Sequence, residues 1–285
     1  MEEKSVVITG ASSGIGEACA LRLAGLGMRV FAGVRSEADG ERLKRQASDR
    51  LTPVLIDVTQ PETIASASGT VGDAVGPAGV AGLVNNAGVF FGGPLEFASV
   101  DEIRRTFDVN VFGAVAVTQA FLPLLRARAG RIVNISSASG LLALPFLGPY
   151  AASKFALEAL SDSLRAELAP WGIHVAVVEP GHTATRIQEK SRAVLRAARE
   201  AYPPEAAELY GWVFGLGESE ARVGVPADRV ARAVEDALLS PRPRRRYVVG
   251  RDARIVSLFR HLPAGWRDWL IAKHLDEHHG RRRSR

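Results

Sequence analysis

The chain has 285 residues, of which 47% are hydrophobic and 24% charged, and this composition is typical of a folded globular protein rather than a disordered one. The single cysteine, Cys19, excludes an internal disulfide and a multi-cysteine zinc site, and the charged start of the chain lacks the layout of a signal peptide. We therefore expect a cytoplasmic protein without a bound metal.

Basic residues are concentrated at the C-terminal end. Residues 240–285 contain 13 Lys and Arg against 4 Asp and Glu, a net +9, so residues 1–239 carry −4 of the formal +5. Arginine clusters confined to one end of a chain are usually solvated surface. We therefore expect no nucleic-acid binding, whose signature would be an affinity that falls steeply with salt.

Short apolar runs alternate along the chain with segments of helical periodicity. The predicted strands are 5–9, 30–34, 54–58, 82–85, 131–135 and 175–179. The predicted helices are 17–26, 41–47, 61–75, 101–125 and 149–168. This alternation predicts a parallel sheet, and the unbroken apolar strands indicate burial on both faces. The uncharged stretch 109–125 contains polar residues and a proline, which favours a buried helix over a membrane span.

The alternating pattern ends near Gly250, which predicts one domain over 1–250 and a basic, aromatic extension over 251–285. Residues 186–224 are rich in glycine and proline and are predicted to form a mobile flap over a substrate site. In the extension, Trp266, Trp269 and Leu270 share a helical face. This face could pack against the core or a second subunit, or make a weak contact with an anionic membrane surface.

The first predicted strand leads into a glycine-rich turn, Thr9–Gly16, and then into a helix. Glycines allow the backbone to approach a pyrophosphate closely, and the helix that follows offers unsatisfied N–H groups to the phosphates. The alternative is a tight turn that needs positive φ angles. The strand before the turn and the helix after it favour dinucleotide binding.

Arg35 lies at the end of the second predicted strand, nineteen residues after Gly16. An acidic residue at about this spacing would hydrogen-bond the ribose of NAD, whereas an arginine suits the 2′-phosphate of NADP. We therefore expect NADP(H) to be preferred, with NAD(H) as the alternative cofactor. An ordinary surface arginine on a basic helix is the other interpretation.

Tyr150 and Lys154 are four residues apart at the start of a predicted helix and share one of its faces, and Ser137 precedes Tyr150 by thirteen residues. A phenol has a pKa of about 10, which a nearby ammonium lowers. Tyr150 could then act as a general acid or base on a carbonyl or alcohol oxygen, with Ser137 holding that oxygen. The alternative is a surface pair on a helix.

From about residue 4 to residue 250 the chain resembles the short-chain dehydrogenase/reductase family. The motifs that carry the resemblance occur in the family's order: Thr9–Gly16, Asp57–Val58, Asn85–Asn86–Ala87–Gly88, Asn110, Ser137 with Tyr150 and Lys154, and Pro180–Gly181 with Thr185. The resemblance implies an α/β fold, namely a Rossmann-type, doubly wound parallel sheet with helices on both faces. It also implies hydride transfer between a nicotinamide and a ketone or secondary alcohol.

The family's functional residues map onto matching positions of this chain. The resemblance implies that Tyr150 transfers the proton, Ser137 positions the substrate oxygen, Lys154 also binds the nicotinamide ribose, and Asn110 holds the lysine through a water. The candidate cofactor-binding residues are Gly10, Ser12, Ser13, Gly14, Ile15, Gly16, Arg35, Asp57, Val58, Asn86, Ala87, Gly88, Tyr150, Lys154, Pro180, Gly181, Thr183 and Thr185. Thr183 departs from the aliphatic residue that is usual in the family, and His182 is expected to line the pocket or the turn.

Large apolar side chains are frequent near the expected substrate site. They include Phe90, Phe91, Phe146, Leu147, Tyr202, Tyr210, Trp212 and Phe214. The region from Leu144 to Glu158 is similar to the hydroxysteroid and retinol dehydrogenase branch of the family, which implies a bulky, hydrophobic substrate. The same aromatics could instead pack the domain or a subunit interface.

The remaining expectations concern the oligomeric state and the alternative functions. The resemblance implies a homodimer or homotetramer formed through the helices that contain Asn110 and Tyr150. An NAD-dependent alcohol dehydrogenase of the same family is the alternative enzyme. A non-catalytic dinucleotide sensor could keep the glycine turn and Arg35, but binding alone would not require Asn110, Ser137, Tyr150 and Lys154 together.

Overall fold

A computed structural model of the protein describes residues 4–183, 196, 199–214 and 224–283. Its strands are β1 (Ser5–Ile8), β2 (Arg29–Val34), β3 (Leu51–Leu55), β4 (Gly82–Asn85), β5 (Arg131–Ile135), β6 (His174–Pro180) and β7 (Arg246–Val249). They form a parallel sheet in the order β3-β2-β1-β4-β5-β6-β7. The expected α/β, Rossmann-type doubly wound sheet is therefore confirmed.

The helices cover both faces of this sheet. They are α1 (Gly14–Gly25), α2 (Glu37–Lys44), α3 (Pro61–Val75), α4 (Val100–Phe107), α5 (Ala114–Arg126), α6 (Gly148–Leu168), α7 (Pro204–Phe214), α8 (Ala227–Leu239), α9 (Arg251–Phe259) and α10 (Ala264–Arg283). Apolar residues of α1 and α8 pack on one face, and those of α3, α5 and α6 pack on the other. Every residue of β1 and β4 is buried, as expected for strands covered on both faces.

The helical stretch Val100–Arg126 has enough length and hydropathy to cross a membrane by composition alone. In the fold, its residues Val117, Phe121 and Leu125 are fully buried against the sheet. A π-helical turn, Asp108–Gly113, interrupts it between α4 and α5. The predicted single helix over 101–125 is therefore two helices joined at this turn.

One predicted strand was misplaced, and one observed strand was not predicted. The segment 54–58 is not a strand over its whole length, because β3 spans Leu51–Leu55 and Asp57 lies beyond its end. β3 includes Pro53, which lacks an N–H donor but is tolerated because β3 is an edge strand. The sequence pattern also missed β7, which begins at Arg246, the last residue of an arginine cluster.

The extension after Gly250 is helical, and it begins with α9, which contacts the 3₁₀ turn Ala138–Gly140 beside the site. On α10, Trp266 and Trp269 are 66% and 59% exposed. Most of the predicted flap lies outside the described residues, and so does Thr185, which precedes it.

Candidate active site

The candidate residues gather at the carboxyl ends of β1, β4, β5 and β6. The sheet continues from β1 to β2 and β3 on one side and to β4 on the other. β1 and β4 are therefore neighbours, and the connections that follow these two strands run in opposite directions. In open α/β sheets, a crevice forms at such a switch point and binds ligands.

The glycine turn has the backbone shape that a dinucleotide needs. Gly10 and Gly14 have φ angles of 63° and 61°, and a Cβ atom on Gly10 would lie 2.9 Å from Cα of Ala87. α1 begins at Gly14, and the side chain of its N-cap residue, Ser13, makes no capping hydrogen bond. Backbone donors at the positive end of α1 thus face the turn without a side-chain cap, which fits a phosphate group.

Asn86, a candidate cofactor-binding residue, is hydrogen-bonded to the glycine turn. Its Nδ2 donates to the carbonyl oxygens of Thr9 and Gly10 at 2.9 and 3.0 Å, while its backbone N–H and that of Ala87 donate to Thr9 Oγ1, each at 3.0 Å. The amide of Asn86 is therefore committed to shaping the glycine turn from β4. Gly16 packs against both Gly10 and this amide, which leaves no room for a side chain.

Arg35 and Asp57 lie beyond the ends of β2 and β3. Arg35 is exposed. Partial burial alone would raise the pKa of Asp57, but hydrogen bonds from Thr59 and the charge of Arg35 lower it overall. The structure also adds Arg42, which the sequence did not single out. Arg42 donates to the carbonyl of Ser12 and lies 2.6 Å from Glu17, so it holds the outer side of the turn.

Asn110 lies in the π-helical turn and is 1% exposed. Its Oδ1 accepts the N–H of Val89 at 2.8 Å, and its Nδ2 donates to the carbonyl of Val89 and to Ser153 Oγ at 2.9 and 3.0 Å. A Cβ atom on Gly88 would lie 3.3 Å from Asn110 Oδ1 and 3.7 Å from Lys154 Nζ. Asn110 therefore joins the segment after β4 to α6, next to Lys154.

Tyr150 and Ser137 meet through their hydroxyl groups. Burial raises the pKa of Tyr150 above its usual value, and the hydrogen bond with Ser137 lowers it only in part. The expectation that Lys154 lowers this pKa was wrong for this structure. Lys154 Nζ lies 5.8 Å from the centre of the Tyr150 ring and donates to the carbonyl of Ile135 at 2.9 Å, and burial is the largest influence on the pKa of Tyr150.

Buried amides fix α6, which carries Tyr150 and Lys154, against the sheet. Asn85 Nδ2 donates to Asn134 Oδ1 and to Thr118 Oγ1, each at 2.9 Å, and Asn134 Nδ2 donates to Ser161 Oγ at 2.8 Å. This chain of hydrogen bonds links α5, β4, β5 and α6. Sequence reasoning missed it because its members are 27 to 49 residues apart.

The loop after β6 is held from two sides. Gly181 N–H donates to the carbonyl of Val249 at 2.9 Å, and His182 N–H donates to Asp252 Oδ2 at 2.6 Å. Thr183 forms a parallel bridge with Val225. Pro180, Gly181 and Thr183 therefore lie at the end of β6 beside β7, whereas Thr185 lies outside the described residues.

One aromatic ring lies beside Tyr150, and others pack together on the loops that follow β4 and β5. The Phe90 ring lies 5.0 Å from that of Tyr150. Phe97 lies 5.9 Å from both Tyr202 and Tyr210, and Phe146 lies 5.7 Å from Trp212. The described part of the predicted flap thus packs on the loops after β4 and β5. Phe91, by contrast, is 2% exposed and belongs to the core.

A family model described as short chain dehydrogenase matches residues 4–195, which is most of the catalytic part of the chain. The chain is a short-chain dehydrogenase/reductase. This short-chain dehydrogenase is 38% identical to 17-beta-hydroxysteroid dehydrogenase type 6 of Bos taurus over 96% of this chain and 89% of that protein. It is also 38% identical to human retinol dehydrogenase 16, over 90% and 84% of the two chains. The predicted membership of the hydroxysteroid and retinol dehydrogenase branch is confirmed.

Solved structures agree with this assignment. A short-chain dehydrogenase from Streptomyces avermitilis matches with a TM-score of 0.76 and 31% identity, covering 100% of this chain and 99% of that one. A second, from Burkholderia phymatum in complex with NAD, matches with a TM-score of 0.75 and 29% identity over 90% and 92%. A third, from Burkholderia cenocepacia, is in complex with NADP, at 0.68 and 29% over the same shares. The neighbours therefore support a nicotinamide cofactor for this dehydrogenase without choosing between the two.

Proposed function

We propose that this protein is an NADP(H)-dependent oxidoreductase that transfers hydride between the nicotinamide and a bulky, hydrophobic ketone or secondary alcohol, of steroid-like or retinoid-like character. The observation that carries the proposal is the hydroxyl pair of Ser137 and Tyr150, with Lys154 one helical turn further on and aromatic rings on the substrate side. An NAD-dependent alcohol dehydrogenase is the alternative.

Each active-site residue would have a separate role in the reaction. A bound nicotinamide would supply or accept the hydride at the substrate carbon. Ser137 would hold the substrate oxygen, and Tyr150 would donate a proton to it during reduction and remove one during oxidation. A phenol whose pKa burial has raised is protonated at neutral pH and is therefore ready to act as the acid of a reduction. Lys154 would bind the nicotinamide ribose, and Asn110 would position the lysine.

Arg35 supports the preference for NADP(H). It is exposed at the carboxyl end of β2, where its guanidinium is available to a 2′-phosphate. Arg35→Ala should raise the KM for NADPH about tenfold or more while leaving that for NADH nearly unchanged, because a charged hydrogen bond contributes roughly 1.5–3 kcal/mol. Arg45→Ala, at an exposed arginine just after α2, is the control. Equal effects on both cofactors would favour the NAD-dependent alternative.

The same proposal covers the oligomeric state, the partners and the localisation of the protein. A homodimer or homotetramer would form through α6 and through α4, α5 and the π-helical turn that joins them, where Phe112 on the turn and Phe155 and Leu160 on α6 are 61%, 42% and 41% exposed. The basic C-terminal extension would make a weak contact with an anionic membrane surface. The protein itself would be cytoplasmic, and its other partner would be the small-molecule substrate.

The deciding experiment measures initial rates of NADPH and NADH consumption over a panel of ketones, from small aliphatic ketones to steroids. Tyr150→Phe is the active-site variant, and Tyr247→Phe, at a tyrosine on β7, is the matched control. We expect turnover of bulky ketones with NADPH that falls at least about 100-fold in Tyr150→Phe only. Tight NADPH binding without turnover of any ketone would instead favour the dinucleotide sensor.

A further inference from the structure

Behind Lys154 lies a buried cluster of charged side chains from three elements. Glu158 follows Lys154 by one turn of α6 and is 6% exposed, and Glu179 on β6 is 1% exposed. Arg246 on β7 places Nη1 2.6 Å from Glu179 Oε1, and the same nitrogen hydrogen-bonds Glu158 Oε2. Two buried carboxylates from different elements thus converge on one guanidinium.

The outer side of the cluster is closed by further ion pairs. Nη2 of Arg246 lies 2.8 Å from Asp162 Oδ2, and Asp162 Oδ1 lies 2.5 Å from Arg165 Nη1. Including Lys154, the cluster contains three carboxylates and three cations. Burying a charge is costly unless it is paired, so the two buried carboxylates, Glu158 and Glu179, need the guanidinium of Arg246 between them.

Of the residues in this cluster, Glu158 acts on the charge of Lys154. The lysine is 5% exposed, and burial lowers its pKa to about 8, while the negative charge of Glu158 opposes the fall. Burial also raises the pKa of Glu158, and Arg246 acts against that rise. The titratable groups beside Lys154 are Tyr150 and Glu158, one turn of α6 before and after it, and Glu179 from β6 and Arg246 from β7 lie around Glu158.

We propose that Glu158 and Arg246 are positioning residues for the active site: Arg246 keeps Glu158 ionised, and Glu158 keeps Lys154 an ammonium seated against the carbonyl of Ile135. Neither residue touches the reacting atoms. The inference rests on the proposed function for its meaning, because it concerns the lysine that would bind the cofactor ribose. The charge of Lys154, however, can be measured without cofactor or substrate.

The test is a pH titration of the lysine side chains by NMR. The chain has five lysines, so protein labelled with ¹³C at lysine Cε gives few signals, and loss of one signal in Lys154→Arg assigns it. We expect the Lys154 signal to titrate near pH 8 in the native protein and lower by about one pH unit or more in Glu158→Gln. Arg246→Met should lower it as well, and Arg246→Lys should largely restore it.

Glu167→Gln is the matched control, because Glu167 is an exposed glutamate on the same helix, bonded to Ser163. It should leave the Lys154 titration unchanged. Far-UV circular dichroism checks that each variant folds, and Glu158→Asp, which keeps the charge, provides a milder variant if Glu158→Gln does not fold. A Lys154 titration that is the same in the native protein and in every folded variant would overturn the proposal.

The pH dependence of the reaction gives a second readout. In Glu158→Gln, the alkaline limb of kcat/KM should move to lower pH, while the rate at pH 6 stays close to native. A uniform loss at every pH, with the lysine titration unmoved, would assign these residues a purely structural role. If the native protein turns over no ketone, the proposed function fails, but the titration still decides the role of Glu158 and Arg246.

Discussion

Two glycines of α1 differ in how much space surrounds them, and only one of them packs against the glycine turn. Gly16 packs against the backbone of Gly10 and the amide of Asn86, whereas a Cβ atom on Gly25 would meet nothing within 4 Å. Gly16→Ala should therefore lower the free energy of unfolding by about 1–3 kcal/mol, as overpacking does. It should also weaken NADPH binding, because the turn must open.

Gly25→Ala is the matched control for this prediction, since it makes the same chemical change on the same helix. It should raise the free energy of unfolding by up to about 1 kcal/mol, because alanine favours helix more than glycine does. Urea unfolding and a fluorescence titration with NADPH measure both effects. Equal stability of the two variants would contradict the packing that we describe around Gly16.

The sequence predicted pairs of residues that are close along the chain better than it predicted long-range contacts. Tyr150 and Lys154 share a helix face because four residues make about one turn. The amide of Asn86 bonds a carbonyl 77 residues away, and the sequence offered no signal for that choice. The direction of the Tyr150 pKa was missed for the same reason, because burial depends on elements that fold around the residue.

At the scale of elements, the C-terminal extension is tied to the loop after β6 through Asp252, near the start of α9. Its carboxylate accepts the N–H of His182, two residues after Pro180. Asp252→Ala should free this loop and weaken NADPH binding about tenfold, which corresponds to roughly 1.4 kcal/mol. Asp268→Ala, at an exposed carboxylate on α10, is the control, and equal effects of the two variants on NADPH affinity would refute the claim.

Elements that begin at a proline or follow a glycine-containing turn were predicted with the correct first and last residues. α3 begins at Pro61, and β4 and β5 follow glycine-containing turns, so their observed limits match the predicted ones. β3 was placed too late because Pro53 does not resemble a strand residue, and only its position at the sheet edge permits it. β7 was missed because it begins with Arg246, and the sequence alone could not show that this arginine pairs with the buried carboxylates of Glu158 and Glu179.

At the scale of the whole molecule, the C-terminal extension carries basic residues and presents exposed apolar side chains. Residues 251–285 contain nine Lys and Arg against four Asp and Glu, and Leu258, Trp266 and Trp269 are 75%, 66% and 59% exposed. Apolar rings beside basic side chains suit an anionic bilayer surface, where both burial and charge favour binding. A hydrophobic substrate dissolved in such a bilayer would then be close to the site.

This arrangement predicts that the full chain co-sediments with vesicles containing about one third phosphatidylserine, and that binding weakens as salt rises, because screening reduces the attraction of the basic residues. The double variant Trp266→Ser, Trp269→Ser should lose most of this binding. Trp171→Ser is the matched control, since Trp171 is 50% exposed but lies after α6, and it should bind as the native chain does. If neither change affects sedimentation while the double variant alters the oligomeric state in light scattering, the face packs against a second subunit instead.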